Sequence, residues 1–400
     1  GSSFWWPSKD HPSDEPDSMR THFTVPSHLD VVSNGNMESS EVVEGGLKKY
    51  NWKISYPINT YNVTFYIGKF HYFKTHLDST HNAQELEHYV LPQNKTIAPA
   101  YYHIEKEVLN FYDKAFGAFP FPQDHYCIVE SPYAGMEHQT AIAIGNEKNK
   151  NRRYVNVKDN YLIIHETAHE WWGNSVTAKD MAHAWIQEGF ATYAEMMFIE
   201  NKYGHKSYLQ EILNLELEIF NLWPVVGNEH VNDNTFIGGD IYNKGALFLH
   251  TLRSTINDDT LFFKIIKTFA ERNRYKMVET DDFKKLVYEM TGKDYTALFD
   301  TYLYHVEVPT LEYLYEYLPE EHKAVLTYRW SKVPPAFFMP FGLQERKEGA
   351  PVAYHRLEAN TEWQKWEIKT EGTLAFINFQ MLDCPTNYHT YHQTKMVLKK

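Results

Sequence analysis

Residues 165–170 read His165-Glu166-Thr167-Ala168-His169-Glu170, and Glu188 follows nineteen positions after His169. Histidines four apart share one face of a helix, a turn from each other. The spacing therefore predicts a helix through both, with two imidazoles able to bind one ion. Glu188 lies on a second apolar segment and completes a His/His/Glu set. Zinc in a hydrolytic site takes three protein ligands of this kind and keeps a fourth position open. Glu166, beside the first histidine, is close enough to work on a water at such a site. The pattern predicts hydrolysis, with a peptide as the first candidate substrate.

The surroundings argue against an exposed polar helix. Tyr161-Leu162-Ile163-Ile164 precede the motif and Trp171-Trp172-Gly173 follow it. A helix that is apolar nearly all round is buried, and buried histidines need partners. Glu188 sits in Trp185-Ile186-Gln187-Glu188-Gly189-Phe190. A buried acid is rare unless it is paired or bound to metal.

The totals exclude other classes. Lys plus Arg number 39 against 52 Asp plus Glu, a net charge of −13. Such a chain repels a phosphate backbone, so no nucleic-acid partner is expected. No apolar run approaches about 18 residues, so no transmembrane segment is expected. Cys127 and Cys384 match no zinc-cysteine spacing and are read as two reduced thiols, with one long-range bridge as the alternative. The chain opens Gly1-Ser2-Ser3-Phe4-Trp5-Trp6-Pro7, with no methionine and no signal-peptide pattern. We therefore expect natural sequence to precede it.

Length suggests about two to three domains, and the pattern along the chain divides accordingly. Residues 1–97 read as β structure, with strands at 19–25, 29–33, 41–44 and 47–55 and a β-rich run at 61–77; Asn34-Gly35 is a turn signal. Helical spacing begins at 98–116, with Ile104, Val108 and Phe111 on one face and Gly117 as the stop. Short strands at 126–130 and 140–144 bracket a loop. Helices are predicted over 159–172, 184–203, 242–256, 260–272 and 281–292. From 309 strands return, at 310–317, 324–330, 337–344 and 374–379. The fold class is α+β and multidomain.

Four blocks together resemble the aminopeptidase N family, which includes the leukotriene hydrolase/aminopeptidase. They are 165–174 (HETAHEWWGN), 185–195 (WIQEGFATYAE), 134–138 (AGMEH, similar to the family's G-A-M-E-N loop) and 242–245 (YNKG, similar to Y-x-K-G). Residues 5–17 and the strands around Pro26 look like the end of the family's N-terminal β domain, and 334–343 resembles its small β domain. The resemblance implies three parts. Residues 1–97 would be the C-terminal part of a β-sandwich-like N-terminal domain. Residues 98–308 would be a thermolysin-like, mainly helical zinc catalytic domain, and 309–400 a small β-sandwich.

The resemblance also implies roles. One Zn2+ per chain would be held by His165, His169 and Glu188. Glu166 would take the proton of the attacking water and return it to the leaving amine. Tyr242 would donate to the developing oxyanion. Glu137 would bind the substrate's α-ammonium, and Ala134, Gly135, Met136 and His138 would line the substrate alongside it. His138 stands where the family usually has Asn, and Ala134 where it usually has the first glycine. The family's further amine-site residue from the N-terminal domain would lie before Gly1. Lys244 and Asn174 are read as supporting residues, and His103, His183 and His250 as core or surface. The implied partners are peptides with a free N-terminus. Side-chain preference, oligomeric state and compartment stay open, although shorter family members are often exported. A thermolysin-type endopeptidase, an epoxide hydrolase and an impaired scaffold are the alternatives. The first lacks an amine anchor such as Glu137, and the last would have lost ligands that are all present here.

Overall fold

A computed structural model of the chain describes residues 2–77, 84–145, 160–231, 236–346, 351–369, 376–378 and 389–397. Its first strands are β1 (Met19–Pro26), β2 (Asp30–Ser33), β3 (Asn36–Val43), β4 (Leu47–Ile54), β5 (Phe65–Gly68), β6 (His71–Leu77) and β7 (Gln84–Val90). Helices α1 (Ala98–Tyr101) and α2 (Glu105–Phe116) follow, then β8 (Tyr126–Ser131), β9 (Gly135–Met136) and β10 (Ile142–Gly145). Next come α3 (Tyr161–Ala168), β11 (Val176–Ala178), α4 (Trp185–Tyr203), α5 (His205–Leu217), α6 (Asp240–Ile256) and α7 (Asp259–Arg272). Strand β12 (Lys276–Val278) precedes α8 (Thr280–Thr291) and α9 (Thr296–Phe299). The C-terminal strands are β13 (Thr310–Leu318), β14 (Lys323–Ser331), β15 (Met339–Arg346), β16 (Ala353–Ala359), β17 (Gln364–Lys369), β18 (Phe376–Asn378) and β19 (Gln393–Met396).

Two compact units emerge. The first comprises Gly1–Ile199, Glu229–Asp233 and Ile266–Thr280. In it β1, β4 and β3 form one antiparallel sheet and β2 pairs with β5. Strands β6 and β7 join neither. They belong to a five-stranded sheet of order β6-β7-β8-β10-β9, which therefore draws on both sides of residue 97. Strand β8 is buried along its whole length and has parallel neighbours on both sides, β7 and β10. A strand covered on both faces reads as a continuous apolar run rather than an alternating one, as Tyr126-Cys127-Ile128-Val129 does. Val25, Val31, Val32, Tyr50, Trp52, Tyr66, Cys127, Val129, Ala141 and Ala143 form one core, so the N-terminal strands are packed onto this sheet. Cys127 is a buried free thiol, while Cys384 lies outside the described residues.

Two helix predictions need correction. The helix expected over 98–116 is broken: Tyr102 closes α1 with its N–H on the Ala98 carbonyl, and α2 restarts at Glu105. The helix expected over 159–172 is shorter. It opens on an N-cap, with the Asn160 side chain accepting from the Leu162 N–H at 3.1 Å. It stops at Ala168, so His169 stands at its C-cap (φ −63°, ψ −20°). The reason is Gly173, whose φ of 122° turns the chain back so that the Asn174 N–H reaches the His169 carbonyl at 3.0 Å. Asp159 is outside the described residues.

The second unit comprises Glu200–Asn228, Asn234–Ile265 and Asp281–Lys400. Its helices precede two sheets, of order β17-β14-β13-β19 and β16-β15-β18. The buried Trp330 packs edge-on against Phe337 and Phe341 and donates its indole N–H to the Met339 carbonyl at 2.8 Å. Of the strand expected at 374–379, β18 is the described part. No helix among the described residues is long and apolar enough to cross a membrane.

Candidate metal centre

Helices α3 and α4 carry the centre. Every residue of α4 from Trp185 to Ile199 is buried, as is α3 from Ile163 to its end. Burial on this scale forces the polar side chains in these helices to find one another. His165 Nε2 lies 3.1 Å from His169 Nε2, and each lies 3.3 Å from Glu188 Oε2. For metal–ligand distances near 2 Å, a tetrahedral site needs ligand atoms about 3.3 Å apart. The triangle has that size.

The outer partners turn the same atoms inward. His165 Nδ1 is 2.7 Å from Glu195 Oε1, and His169 Nδ1 is 2.7 Å from the Trp172 carbonyl. Both Nδ1 atoms therefore act as donors, which leaves each Nε2 lone pair for the centre. Two lone pairs facing each other and a carboxylate repel unless a positive charge sits between them. The electrostatics of the site say the same. Burial disfavours the charged imidazoles, yet Glu188 and Glu195 outweigh it at His165 and raise its pKa well above the ordinary value. At His169, Glu188 and Glu137 outweigh burial and the pKa rises to about 9. Burial likewise opposes the Glu188 carboxylate, but the two histidines pull its pKa well down. The chain alone gathers protons where a cation fits.

Two further glutamates face the centre. Glu137, Glu166 and His169 bring ligand-type atoms within 4.8 Å of one another, all buried. Burial lifts Glu166 to about 8, against the pull of His165 and His169. Burial also raises Glu137, with His169 opposing and Glu188 reinforcing it.

Glu137 follows β9, the edge of the five-stranded sheet, which pairs antiparallel with β10 through Met136–Ala143 and Gly135–Ile144. Gly135 leaves no room for a side chain while Glu166 keeps its place: a Cβ there would lie 2.3 Å from Glu166 Oε1. Ala134 is exposed, and Gly135, Met136 and His138 are half-buried. His138 Nδ1 lies 2.8 Å from the Tyr66 hydroxyl, which also lies 2.8 Å from the Ala141 carbonyl; burial lowers the His138 pKa to about 4 and keeps it neutral. Asn174 donates to the Glu137 carbonyl at 3.0 Å and accepts from Asn62 at 2.7 Å, which ties the loop to the turn after α3.

Tyr242 lies in the first turn of α6, in the second unit, half-buried and 6.3 Å from Phe236 ring to ring. In the same unit the buried Lys244 donates to the His305 and Val306 carbonyls at 3.0 Å, and burial lowers its pKa to about 8.

Three neighbours were not assigned roles from sequence. Glu195 lies seven residues after Glu188, two helical turns on, a spacing that could have flagged it. Gln187 donates to the Tyr61 hydroxyl at 2.8 Å. Burial, with Glu137 and Glu188 nearby, holds Tyr61 well above the ordinary tyrosine pKa. Nothing in the local sequence distinguishes Tyr61 from the other tyrosines.

Residues 101–302 match the model of the peptidase family M1 domain. A glutamyl aminopeptidase from Bitis rhinoceros is 25% identical over 322 residues, covering 75% of this chain and 33% of the relative. Aminopeptidase 2 of Candida albicans is 23% identical over 332 residues, with coverage of 77% and 34%. The chain thus spans about a third of the length of these curated relatives. Among solved structures, Legionella pneumophila aminopeptidase A in complex with aspartic acid superposes with a TM-score of 0.77 at 17% identity, over 96% of this chain and 46% of that one. The M1 zinc metallopeptidase of Deinococcus radiodurans gives a TM-score of 0.61 at 22% identity, over 73% and 64%. The family match covers half of the chain and contains the whole His165–His169–Glu188 triangle, so the chain belongs to peptidase family M1.

Proposed function

We propose that this chain is the catalytic part of a zinc-dependent aminopeptidase that hydrolyses the N-terminal bond of peptides. The observation that carries this reading is the buried triangle of His165, His169 and Glu188, with Glu166 and Glu137 gathered beside it. Two imidazole nitrogens and a carboxylate oxygen suit one zinc ion. When bound, the ion supplies Lewis acidity, polarising a carbonyl and acidifying water.

The protein's own groups do the rest. Glu166 takes the proton of the attacking water on its carboxylate and hands it to the leaving amine. Burial raises its affinity for a proton, against the pull of His165 and His169. Glu137 binds the α-ammonium through charge-assisted hydrogen bonds, which an internal peptide bond cannot supply. The outer edge of β9 pairs with the substrate backbone as an added strand. Tyr242 donates its phenol proton to the developing oxyanion. Within this reading, 98–308 serves as the thermolysin-like domain between the β segments 1–97 and 309–400.

The test is a panel of aminoacyl anilides, each with a free and an acetylated N-terminus. Free substrates should be cut, acetylated ones should not, and Glu137→Gln should raise KM by about tenfold or more, since each 1.4 kcal/mol of lost binding is tenfold. Equal cleavage of blocked and free substrates would refute the amine anchor and favour an endopeptidase.

A further inference from the structure

Away from that centre, the first unit holds a second group of metal-type side chains. His11 Nε2 lies 3.1 Å from Asp180 Oδ2, and His230 Nδ1 lies 3.8 Å from the same oxygen. The three ligand atoms all fall within 4.8 Å of one another. Asp180 is buried, His11 is half-buried, and the His230 side chain is 83% exposed, so the group opens to solvent on one side.

Each member is held in place by the surrounding backbone or by an outer partner. Asp180 Oδ1 accepts the Ala182 N–H at 2.9 Å, and Oδ2 accepts the His230 N–H at 2.8 Å, which brings the 229–231 loop over the carboxylate. His11 Nδ1 accepts the Ser13 backbone N–H at 3.2 Å and lies 2.8 Å from Ser13 Oγ. His230 Nε2 lies 3.9 Å from Glu229 Oε2, and Glu229 is also fixed by His183 Nε2 at 3.2 Å.

We propose that His11, Asp180 and His230 form a second metal site, for a divalent ion of the zinc class, with water completing its coordination. Two imidazoles and one carboxylate select a borderline ion over Mg2+ or Ca2+, which prefer all-oxygen shells. The His11–Asp180 pair, at 3.1 Å, is close to the spacing of about 3.3 Å that tetrahedral zinc needs. His230 reaches it by rotating an exposed side chain. The site is looser than the buried triangle and fills after it. Once filled, it clips the N-terminal segment and the 229–231 loop to the residue that caps the turn Met181–His183, eight residues before Glu188.

The test is equilibrium dialysis of the metal-stripped chain against zinc, followed by elemental analysis. The wild-type chain should bind two equivalents. His230→Ala, which truncates an exposed side chain and leaves the fold intact, should bind one. His165→Ala, which disables the buried triangle, should also keep one, so failure of the first site and failure of the second are separately visible. Replacing zinc with Co2+ should give two sets of visible absorption bands, one of them missing in His230→Ala. A single equivalent in the wild-type chain, or two in His230→Ala, overturns the second site.

Discussion

Gly135→Ala separates catalysis from folding. The added Cβ would lie 2.3 Å from Glu166 Oε1, 2.9 Å from its Cδ and 3.2 Å from its Cγ. Ordinary contacts between such atoms are about 3.5 Å, so something must yield by roughly 1 Å. The atoms in the way are the end of a side chain, not backbone, and the Glu166 carboxylate is what moves. Gly135 is half-buried on an edge strand, so the protein should keep its fold, with a melting temperature within a few degrees of wild type. Displacing a catalytic group by about 1 Å costs on the order of 10²-fold in rate, equivalent to about 2.7 kcal/mol of transition-state stabilisation. The expected result is a kcat reduced about 100-fold on an alanyl anilide, with zinc content unchanged. A kcat within about twofold of wild type at equal zinc content would refute the proposal that Glu166, in the place Gly135 leaves for it, transfers the proton.

Three further outcomes are expected. Glu195→Gln weakens the bond that orients His165 and should lower zinc affinity by about 10- to 100-fold in a chelator competition; unchanged affinity would remove Glu195 from the site. Tyr242→Phe should lower kcat by about 10²–10³-fold with KM little changed, as loss of an oxyanion donor does; a normal kcat would reassign that phenol to packing. Glu170 is fully buried and burial lifts its pKa to about 8, while its Oε1 accepts the Thr140 N–H at 2.9 Å. Because the folded pKa is the higher one, its contribution to stability is complete below about pH 4.5 and is lost as pH rises toward 8, at up to about 1.4 kcal/mol per unit. Glu170→Gln should therefore gain stability over wild type between pH 5 and 8 in thermal melts, and a pH-independent difference would contradict the burial argument.

The gathering of His165, His169 and Glu188 was legible because it is written in spacing and setting: two histidines one turn apart, and an acid inside an apolar run. Strand β8 was legible for a related reason, its apolar residues being continuous. Strands β6 and β7 were harder to place. Nothing in 71–90 says that these residues pair with β8 rather than with β1–β5, because partner choice is decided by long-range packing. Helix α5, His205–Leu217, escaped because its apolar residues are interleaved with His205, Lys206, Gln210, Glu211 and Glu216. The end of α3 escaped because the left-handed turn at Gly173 acts five residues beyond the last helical position. Tyr61 is brought to the site by the N-terminal strands, and no local pattern carries that information.

The most direct test of the account is Glu166→Gln, assayed for metal and turnover in the same sample. The substitution keeps the shape of a side chain outside the His165–His169–Glu188 triangle but removes the carboxylate proposed to carry the proton. The account predicts unchanged metal content and a kcat lower by about 10²–10⁴-fold, the usual contribution of a positioned acid–base group. A variant that holds its metal and turns over within about tenfold of wild type would contradict it.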